Sequence, residues 1–322
     1  MSSSSKKIPN VLDRYKKFKI INEIIEQKIK NVENKCLIPQ SFGSYSLNNI
    51  IFLIKRIGSD SSYGSIYLSK INKYLFATKV QLLTDDTYKE LEVLELVTNN
   101  AIKMQNIHLP LMYNNLECKF FDKFSLNSKL PINLLDDENE NKDINKYYST
   151  FVELADGDLG SYLSKHNDLT QYELNNILSQ CFISILSCHL IKINHKDTHL
   201  NNFLYHIIKK NNSCFHYKYK DLEFYIENLG LNWIIWDFGY SKDITSFSNK
   251  DFKTDYLMFI GSFVDYYDKI NITNIIFKNY LIDLFNIIDL FKNDYELIKY
   301  LLQKQFLFSD KPIGKIVATI NL

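Results

Sequence analysis

The residue pattern of the chain changes near its middle, and this change limits the folds that it can adopt. Before residue 156, short runs rich in β-branched and aromatic residues alternate with turn residues, as in LNNIIFLIKRIG, GSIYLSK and YLFATKVQLL. This is the pattern of consecutive antiparallel strands. After residue 156, segments with helical spacing dominate, such as TQYELNNILSQCFISILSCHLIKI. The order predicts an α+β fold with a small antiparallel-sheet lobe containing one main helix, a mostly helical second lobe, and a cleft between them.

Three parts are predicted along the 322 residues. They are an N-terminal extension of residues 1–45, a first lobe of residues 46–155 and a second lobe of residues 156–322 that is helical from Asp251 onward. The hinge is expected near Glu153–Gly157. Between Val11 and Asn34, apolar residues recur at helical spacing, which predicts an amphipathic helix packed on the body of the protein rather than on a membrane. Residues 1–10 are predicted to be disordered.

The bulk composition argues against several classes of function. The 38 basic and 37 acidic side chains give a net charge of +1, and no basic stripe is visible, so a nucleic-acid partner is not expected. No apolar run reaches membrane-spanning length, and the start MSSSSKKIPN lacks the apolar core of a signal peptide. We therefore expect a soluble cytoplasmic protein without a membrane partner. The five cysteines show no C-x-x-C pairing, which favours reduced thiols over a zinc site.

The stretch NHKDTHLNNFLY, Asn194–Tyr205, brings two imidazoles close to a carboxylate. His195, Asp197 and His199 alternate, so on a strand they would share one face and could ligate a cation such as zinc. No second cluster of Cys or His supplies a fourth ligand, and an ordinary turn would also explain the stretch. A third interpretation, the catalytic loop of a phosphotransferase, depends on what else the chain carries.

Three other segments carry residues suited to a phosphate chain and its cation. The apolar run LNWIIWDFGYS ends on Asp237 beside Gly239, where a carboxylate at the exit of a buried strand can hold a divalent cation. In IGSDSSYGSIYLSK, Gly58 and Gly64 allow backbone N–H groups to lie close over phosphates. Lys79 stands inside the apolar strand FATKV, where an ammonium needs an anionic partner. Each segment also has an ordinary explanation, namely a turn, a hairpin and a strand-edge lysine.

The helix predicted after this strand supplies a partner for the lysine. In KELEVLE, Glu90 lies beside the apolar stripe that docks the helix, and Glu92 is the competing candidate. Most helix glutamates are simply solvated, so this assignment depends on the other motifs.

Taken in order, these motifs resemble those of the protein kinase superfamily: glycine-rich turn, strand lysine, helix glutamate, hinge FVELADGDL, loop H-x-D-x-x-x-x-N and strand-D-F-G. The resemblance covers roughly Leu47 to Gly261. It implies an ATP- and Mg²⁺-dependent phosphotransferase. Asp197 would accept or orient the proton of the acceptor hydroxyl, while Asn202 and Asp237 would hold the magnesium ions.

The resemblance also implies a nucleotide-binding set. Lys79, braced by Glu90, would bind the α- and β-phosphates, and the backbone of Glu153 and Ala155 would meet the adenine edge. The other implied positions are Gly58, Ser61, Gly64 and Ile66 around the glycine-rich turn, Ala77 in the lysine strand, Val152 at the gatekeeper and Asp158 near the ribose.

The catalytic loop departs from the usual kinase pattern. The lysine commonly found two residues after the catalytic Asp is His199 here, and a neutral imidazole stabilises a phosphoryl group less than an ammonium does. By the same resemblance, His195 would be structural and pack beneath Phe238. D-x-H-x-x-N loops are familiar from haspin-like protein kinases and from aminoglycoside and choline kinases. The chain is also similar to kinase-like proteins of large cytoplasmic DNA viruses, whose extended hairpin before D-F-G resembles YKDLEFYIENLGLNWIIWDFG, so the host cytoplasm or the virion is the expected location.

The segment after Gly239 is short and contains no A-P-E, which leaves little room for a peptide-docking loop. Asp255 looks like the helix Asp that anchors the catalytic loop from below in that family. At the glycine-rich turn, Ser61 stands in place of the middle glycine, or the turn is one residue longer than usual. The candidate phosphorylation sites in the short segment are Thr245, Ser246 and Ser248.

Three functions follow, in order of preference. The first is a protein kinase that transfers the γ-phosphate of ATP to Ser/Thr hydroxyls of proteins. The second is a small-molecule kinase of the aminoglycoside and choline type, which the acidic stretch DYYDKIN favours slightly. The third is a nucleotide-binding pseudokinase, against which the retention of Lys79, Asp197, Asn202 and Asp237 argues. The sequence leaves the oligomeric state open.

Overall fold

The structure is a computed structural model, and it describes residues 8–29, 37–40, 45–61, 64–118, 147–166, 168–243, 249–269, 275–305 and 307–322. The predicted disordered start up to residue 7 and the charged stretch LLDDENENKD lie outside the described residues, as do Thr245, Ser246 and Ser248. The described chain is α+β and contains an antiparallel sheet, as the sequence predicts.

The chain forms two compact units. The sheet unit comprises Tyr15–Glu95 and Leu111–Leu154. The helical unit comprises Leu96–Pro110, Ala155–Leu322 and the chain up to Arg14. The chain passes from the sheet unit into the helical unit after Leu154, within the segment expected to be a hinge.

Helices and strands are numbered in the order in which they occur along the chain. The helices are α1 (Asp13–Ile29), α2 (Asp85–Met104), α3 (Leu159–Lys165), α4 (Gln171–Leu190), α5 (Asn249–Lys269), α6 (Ile275–Asp289) and α7 (Asp294–Gln303). The first seven strands are β1 (Leu37–Pro39), β2 (Tyr45–Leu47), β3 (Ile51–Ser61), β4 (Gly64–Ile71), β5 (Tyr74–Leu82), β6 (Met112–Cys118) and β7 (Tyr147–Val152). The later strands are β8 (Gly157–Asp158), β9 (Ile193–Asn194), β10 (Phe203–Ile207), β11 (Ser213–Tyr219), β12 (Leu222–Glu227), β13 (Leu231–Ile235), β14 (Lys242–Asp243) and β15 (Lys315–Asn321).

The sheet unit is built on a seven-stranded antiparallel sheet in the order β1-β2-β3-β4-β5-β7-β6. Successive side chains on a strand point to opposite faces, so each strand divides its residues between two surfaces. One face carries Tyr67, Phe76, Val80 and Phe151, which are buried in a single apolar cluster. The opposite face carries Lys79, whose neighbours along β5 belong to the apolar face.

Helix α1 packs on the apolar cluster of the sheet unit. Ile21 and Ile25 are fully buried in it, and Phe18, Ile24 and Ile29 pack against it. Burying side chains of this size contributes about 1.5–3 kcal/mol each. The amphipathic helix predicted in the N-terminal extension is therefore confirmed, and its apolar stripe packs on protein.

Helix α2 begins with a local cap. Thr84 Oγ1 accepts a hydrogen bond from the backbone N–H of Thr87 at 3.2 Å. The first turn holds two aspartates, where the helix dipole favours negative charge. Along the helix, Glu90 and Leu94 are buried and four residues apart, so they share the buried side, whereas Glu92 is exposed.

Helix α4 is the central helix of the helical unit. Thr170 and Glu173 form a reciprocal capping box at its start. Every side chain from Asn176 to His189 is buried, as expected of a helix that is apolar on all sides and surrounded by protein. Neither α4 nor any other helix in the described ranges combines the length and the apolarity needed to cross a membrane.

Three small sheets lie in the helical unit. Strand β10 lies between β13 and β8, with Phe203 opposite Ile235, while β9 pairs with β14 so that Asn194 lies opposite Lys242. Strand β11 lies between β12 and β15. The residues between β9 and β10, numbers 195–202, are thus held at both ends by paired strands.

The C-terminal strand β15 corrects the expectation that everything after Asp251 is helical. Its sequence KIVATIN is rich in β-branched residues, and Ala318 and Ile320 are buried while their neighbours Thr319 and Asn321 are exposed. It pairs in parallel with β11. Because its pairing partner lies far away in the sequence, the pattern of this short segment alone did not separate strand from helix.

Candidate active site

Four residues of the expected nucleotide-binding set share one face of the seven-stranded sheet. Lys79 in β5 pairs with Ile66 in β4, and Ala77 in β5 pairs with Val152 in β7. Paired residues point to the same side of a sheet, and so do residues two apart on one strand. Ile66, Ala77, Lys79 and Val152 therefore line a common surface that combines three aliphatic side chains with one ammonium.

Lys79 has the ionic partner expected from the sequence. Its Nζ lies 2.6 Å from Glu90 Oε1, and both side chains are buried. Gln81, two residues further along β5, donates from Nε2 to Glu90 Oε2 at 3.0 Å. Removing one partner of such a buried pair leaves an uncompensated charge and is destabilising by about 3–5 kcal/mol. Glu92 is exposed, whereas Glu90 is buried against Lys79, so Glu90 is the partner that the structure shows.

The glycine-rich turn connects β3 to β4. Gly58 has φ +80°, a left-handed conformation that favours glycine, and it lies where the β3–β4 register shifts. At Gly64 a Cβ atom would lie 2.7 Å from the carbonyl oxygen of Val80, so only glycine fits. The backbone of Ser61 pairs with Gly64, while the Ser61 side chain lies outside the described part of the chain.

The residues after β7 make local contacts that the sequence did not indicate. The Glu153 side chain is buried and accepts a hydrogen bond from the Leu111 N–H at 2.9 Å, and the Glu153 N–H donates to the Leu111 carbonyl at 3.0 Å. Ala155 follows without regular structure. Asp158 caps helix α3 by accepting from the N–H and the hydroxyl of Ser161, both at 2.8 Å. Both oxygens of the carboxylate proposed for the ribose are thus engaged locally.

The loop between β9 and β10 brings Asp197 and Asn202 together. Asn202 Nδ2 donates to the backbone carbonyl of Asp197 at 2.7 Å and to its Oδ2 at 2.9 Å. Asn202 is buried and ends the 3₁₀ turn Leu200–Asn202, whereas Asp197 is only half-buried. The amide nitrogen of Asn202 is committed to Asp197, so its Oδ1 is the atom left for a cation.

A backbone hydrogen bond holds the residue before Asp237 against Asn202. The N–H of Trp236 donates to the Asn202 carbonyl at 2.8 Å, which continues the β10–β13 pairing by one step. Asp237 follows directly, with φ +63°, in a left-handed conformation that is unfavourable for a non-glycine residue. Its Oδ1 lies 3.5 Å from the position that a Cβ on Gly239 would occupy. Backbone strain of this kind, about 1–3 kcal/mol, clusters at functional sites.

His195 is part of the support of the loop. Its ring is fully buried, packs on Phe238 with ring centroids 5.0 Å apart, and places Nε2 2.9 Å from the Trp236 carbonyl. Because a carbonyl can only accept, Nε2 carries the proton. Burial lowers the pKa of His195, against the opposing charges of Asp255, Asp237 and Asp197. The packing beneath Phe238 was expected from the sequence and is observed.

Asp255 in α5 anchors the loop as expected. Its carboxylate accepts the backbone N–H groups of His195 and Lys196, both at 2.8 Å, and its carbonyl accepts the Thr198 hydroxyl at 2.5 Å. Lys196 has φ +61°, so the loop is held in a strained conformation at this point. The carboxylate is fully buried.

A buried histidine compensates the charge of Asp255. His189, at the end of α4, lies between Asp255 Oδ2 at 3.2 Å and Asp294 Oδ1 at 2.8 Å, and Tyr256 donates to Asp294 at 2.7 Å. Burial alone would lower the pKa of His189, but the attraction of Asp294 and the hydrogen bonds to both aspartates raise it to about 9. Burial also opposes ionisation of Asp255, and the hydrogen bond and charge of His189 outweigh it, so the pKa of Asp255 is lowered.

His199 lies on the exposed side of the same loop. Its Nδ1 accepts a hydrogen bond from the Asn201 N–H at 3.2 Å, which makes His199 the N-cap of the 3₁₀ turn. Its Nε2 lies 3.5 Å from Asp197 Oδ2. The side chains of His199 and Asp197 are 43% and 27% exposed, so both can be reached by an acceptor molecule.

The side-chain oxygens of Asn202 and Asp237 suit magnesium better than zinc. Asn202 and Asp237 offer amide and carboxylate oxygens, the hard ligands that Mg²⁺ takes, usually together with phosphate oxygens and water. Within the described ranges, no three or more Cys, His, Asp or Glu side chains are grouped to hold a metal ion. The zinc interpretation of His195, Asp197 and His199 therefore finds no support in the geometry.

No family model matches the chain, and no curated protein matches it either. The interpretation of the site therefore rests on the chemistry and geometry of its own residues.

The sequence reasoning did not identify several residues that support these groups. Gln81 was unassigned, although it stands two residues from Lys79 and so had to share its face. His189 and Asp294 were also unassigned, because their link to Asp255 joins α4, α5 and α7, which only the tertiary fold brings together. A local signal existed for the capping role of Asp158, since Asp is among the preferred residues just before a helix.

The loop after α2 is a further cluster without a sequence signal. Arg14 donates from its two guanidinium NH₂ groups to the carbonyls of Ile107 and Leu109, at 2.5 and 2.6 Å. Between them, buried His108 bonds through Nδ1 to a β13 carbonyl at 2.8 Å and through Nε2 to the Tyr217 hydroxyl at 2.6 Å. Burial lowers the pKa of His108 to about 4, so the ring is neutral. These bonds hold the segment that follows the C-terminus of α2 in place within the helical unit.

Proposed function

We propose that the chain is an ATP- and Mg²⁺-dependent protein kinase that transfers the γ-phosphate to Ser/Thr hydroxyls of proteins. The observation that carries the proposal is the arrangement of three acceptor groups in the helical unit. Asn202 binds Asp197 through its amide nitrogen, and its carbonyl accepts the Trp236 N–H, which brings Asp237 alongside. Phosphoryl transfer requires this combination of a half-exposed carboxylate for the acceptor and oxygen ligands for hard cations.

The sheet unit supports the same proposal. Lys79 is held by Glu90 at 2.6 Å in the middle of an aliphatic surface that includes Ile66, Ala77 and Val152. An aliphatic surface suits the flat face of an adenine ring, and an ammonium fixed by a carboxylate suits phosphates. The order of these groups along the chain agrees with membership of the protein kinase superfamily, and the viral kinase-like proteins are the resemblance we favour within it.

The chain's own residues have distinct tasks in this proposal. Transfer depends more on charge neutralisation and in-line placement than on a strong nucleophile. When bound, MgATP supplies the phosphoryl group and cations that neutralise its charge. Asp197 Oδ2 is engaged by Asn202, so Oδ1 accepts or orients the proton of the acceptor hydroxyl. Lys79 binds the α- and β-phosphates, and Asn202 and Asp237 hold the cations.

The test is transfer of labelled γ-phosphate from ATP to a generic protein substrate. We expect Asp197→Asn to lower the rate about a hundredfold or more, because the carboxylate that accepts the proton is gone, while ATP still binds. Asp168→Asn, at an exposed aspartate before α4, is the matched control and should keep the wild-type rate. Full transfer by the Asp197 variant would refute the assignment, and a wild-type protein that binds ATP without any transfer would be a pseudokinase.

One observation favours a small-molecule acceptor as the second candidate. Only residues 240–248 separate Gly239 from helix α5, and Lys242–Asp243 within them is already paired with β9 as strand β14. Little chain is then left to dock an extended peptide. The same assay decides between the two, because a small-molecule kinase would phosphorylate free hydroxyl compounds, such as amino sugars or choline, and leave the protein substrate unlabelled.

A further inference from the structure

His199 occupies the position at which the kinase resemblance leads one to expect a lysine, and its contacts point to a different task. Its Nδ1 accepts the Asn201 N–H at 3.2 Å, with His199 itself in an extended conformation, φ −82° and ψ 164°. This is the geometry of an N-cap, in which a side-chain acceptor satisfies a backbone donor of the first turn. A lysine ammonium carries only donors and cannot make this bond.

The capping bond also fixes the protonation pattern of the ring. A neutral imidazole carries one N–H, and an accepting Nδ1 places that hydrogen on Nε2. Nε2 lies 3.5 Å from Asp197 Oδ2, the oxygen that already receives Asn202 Nδ2 at 2.9 Å. Hydrogen bonds in sites without substrate are often long and tighten when the substrate binds. In the described part of the chain, Asp197 Oδ1 receives no hydrogen bond, so it is the oxygen left for the acceptor.

We infer that His199 is a positioning residue that holds the 3₁₀ turn with Nδ1 and Asp197 Oδ2 with Nε2–H, and is not a weaker substitute for a phosphate-binding lysine. The inference rests on the proposed function, because it concerns how Asp197 presents Oδ1 to an acceptor hydroxyl. It differs from the expectation drawn from the sequence, in which the imidazole takes the place of the lysine and stabilises the transferring phosphoryl group less well.

Three substitutions separate the two tasks. His199→Asn keeps an acceptor close to the position of Nδ1, since Asn is among the preferred N-caps, but lacks the second nitrogen. His199→Lys supplies the ammonium of the common kinase pattern and no acceptor. His199→Ala removes both contacts. We expect kcat to fall about threefold to tenfold for Asn and by more than about tenfold for both Lys and Ala, with the KM for ATP within about twofold of wild type.

The order of the activities of the three variants decides whether the inference holds. If His199→Lys were as active as the wild type or more active, the position would serve charge stabilisation and the inference would be overturned. It would also be overturned if the Asn and Lys variants lost the same activity, because the capping acceptor would then contribute nothing.

A spectroscopic measurement tests the inference independently of catalysis. The chain has seven histidines, and the signal of His199 in ¹⁵N-labelled protein is identified by its absence in the His199→Asn variant. In long-range ¹⁵N–¹H NMR, the neutral form of the ring should carry its hydrogen on Nε2. A neutral ring with its hydrogen on Nδ1 contradicts the inference. If the wild type transferred no phosphate, the proposed function would fail, and this measurement would still decide the role of the cap.

Discussion

The buried cluster of His189, Asp255 and Asp294 makes the stability of the helical unit depend on pH. The pKa of His189 is raised from 6.5 to about 9 by the charge and hydrogen bonds of the two aspartates, against the opposing effect of burial. We therefore predict that His189→Gln, which keeps hydrogen-bonding capacity but cannot carry a proton charge, removes a specific pH dependence of the free energy of unfolding.

The sign and size of this pH dependence follow from the coupling between proton binding and folding. A group whose pKa is higher in the folded than in the unfolded state stabilises fully below its unfolded pKa, here 6.5, and loses this contribution as the pH rises through its folded pKa of about 9. The difference corresponds to about 3 kcal/mol at about 1.4 kcal/mol for each tenfold change in the proton equilibrium. His189 is fully enclosed, so solvent does not screen these interactions.

Urea unfolding followed by tryptophan fluorescence measures this contribution. Trp233 and Trp236 are buried in the helical unit and are the two tryptophans of the chain. The stability gap between wild type and His189→Gln should shrink by about 3 kcal/mol between pH 6 and pH 10. His166→Gln, at an exposed histidine after α3, should show no such change. A gap that stays constant over this pH range would show that His189 is not charged between the two aspartates.

Three further predictions concern the ion pair, the glycine turn and the loop after α2. Glu90→Gln should lower phosphoryl transfer about tenfold to a hundredfold, because Lys79 loses its ionic partner, whereas Glu92→Gln should stay within about twofold of wild type; equal effects would contradict the pairing. Gly64→Ala should lower the melting temperature by the equivalent of about 2 kcal/mol or more, because its Cβ has no room. Gly261→Ala in α5, with nothing within 4 Å of the new Cβ, should raise it, and an unchanged Gly64→Ala protein would refute the steric argument. Arg14→Met removes two charge-assisted hydrogen bonds, so amide hydrogen exchange should accelerate in the loop after α2. Unchanged protection would mean that Arg14 does not hold this loop.

Local patterns in the sequence were sufficient where the structure depends on neighbours along the chain. The stripe of α1, with Ile21 and Ile25 four residues apart, marked the face that became buried. The apolar run of α4 predicted a long helix, and the structure shows that helix buried. Lys79 inside an apolar strand demanded an anion, and Glu90 was recognisable because it lay next to the apolar stripe of the following helix. In each case one element and its immediate successor carried the information.

Patterns were wrong where a pairing partner is distant in sequence, and incomplete where one residue type has two uses. β15 was assigned as helix because its pairing with β11 cannot be read locally. Asp158 is predicted near the ribose, and the structure adds that it caps helix α3 by accepting two hydrogen bonds from Ser161. The prediction for Glu153 concerns its backbone at the adenine edge, and the structure adds that its buried side chain accepts the Leu111 N–H.

The loop of residues 195–202 lies between these two cases. Its order of residues suggested Asp197, Asn202 and Asp237 as a set, and Asn202 bonds to Asp197 through its side chain and to Trp236, the residue before Asp237, through its backbone. The sequence did not indicate what holds the loop in position, because Asp255 and His189 reach it from helices that are separate in the chain. Supporting residues are harder to predict than reacting ones, since their types are not dictated by the chemistry.

Binding of ATP in the presence and absence of Mg²⁺ tests the central claim, that Asn202 and Asp237 hold the cations beside Asp197. We predict that calorimetry finds Mg²⁺-strengthened ATP binding in the wild type and in Asp197→Asn, and loss of the Mg²⁺ effect in Asp237→Asn. If Asp237→Asn bound ATP with the same Mg²⁺ dependence as the wild type, the assignment of this loop as a phosphotransfer site would be wrong.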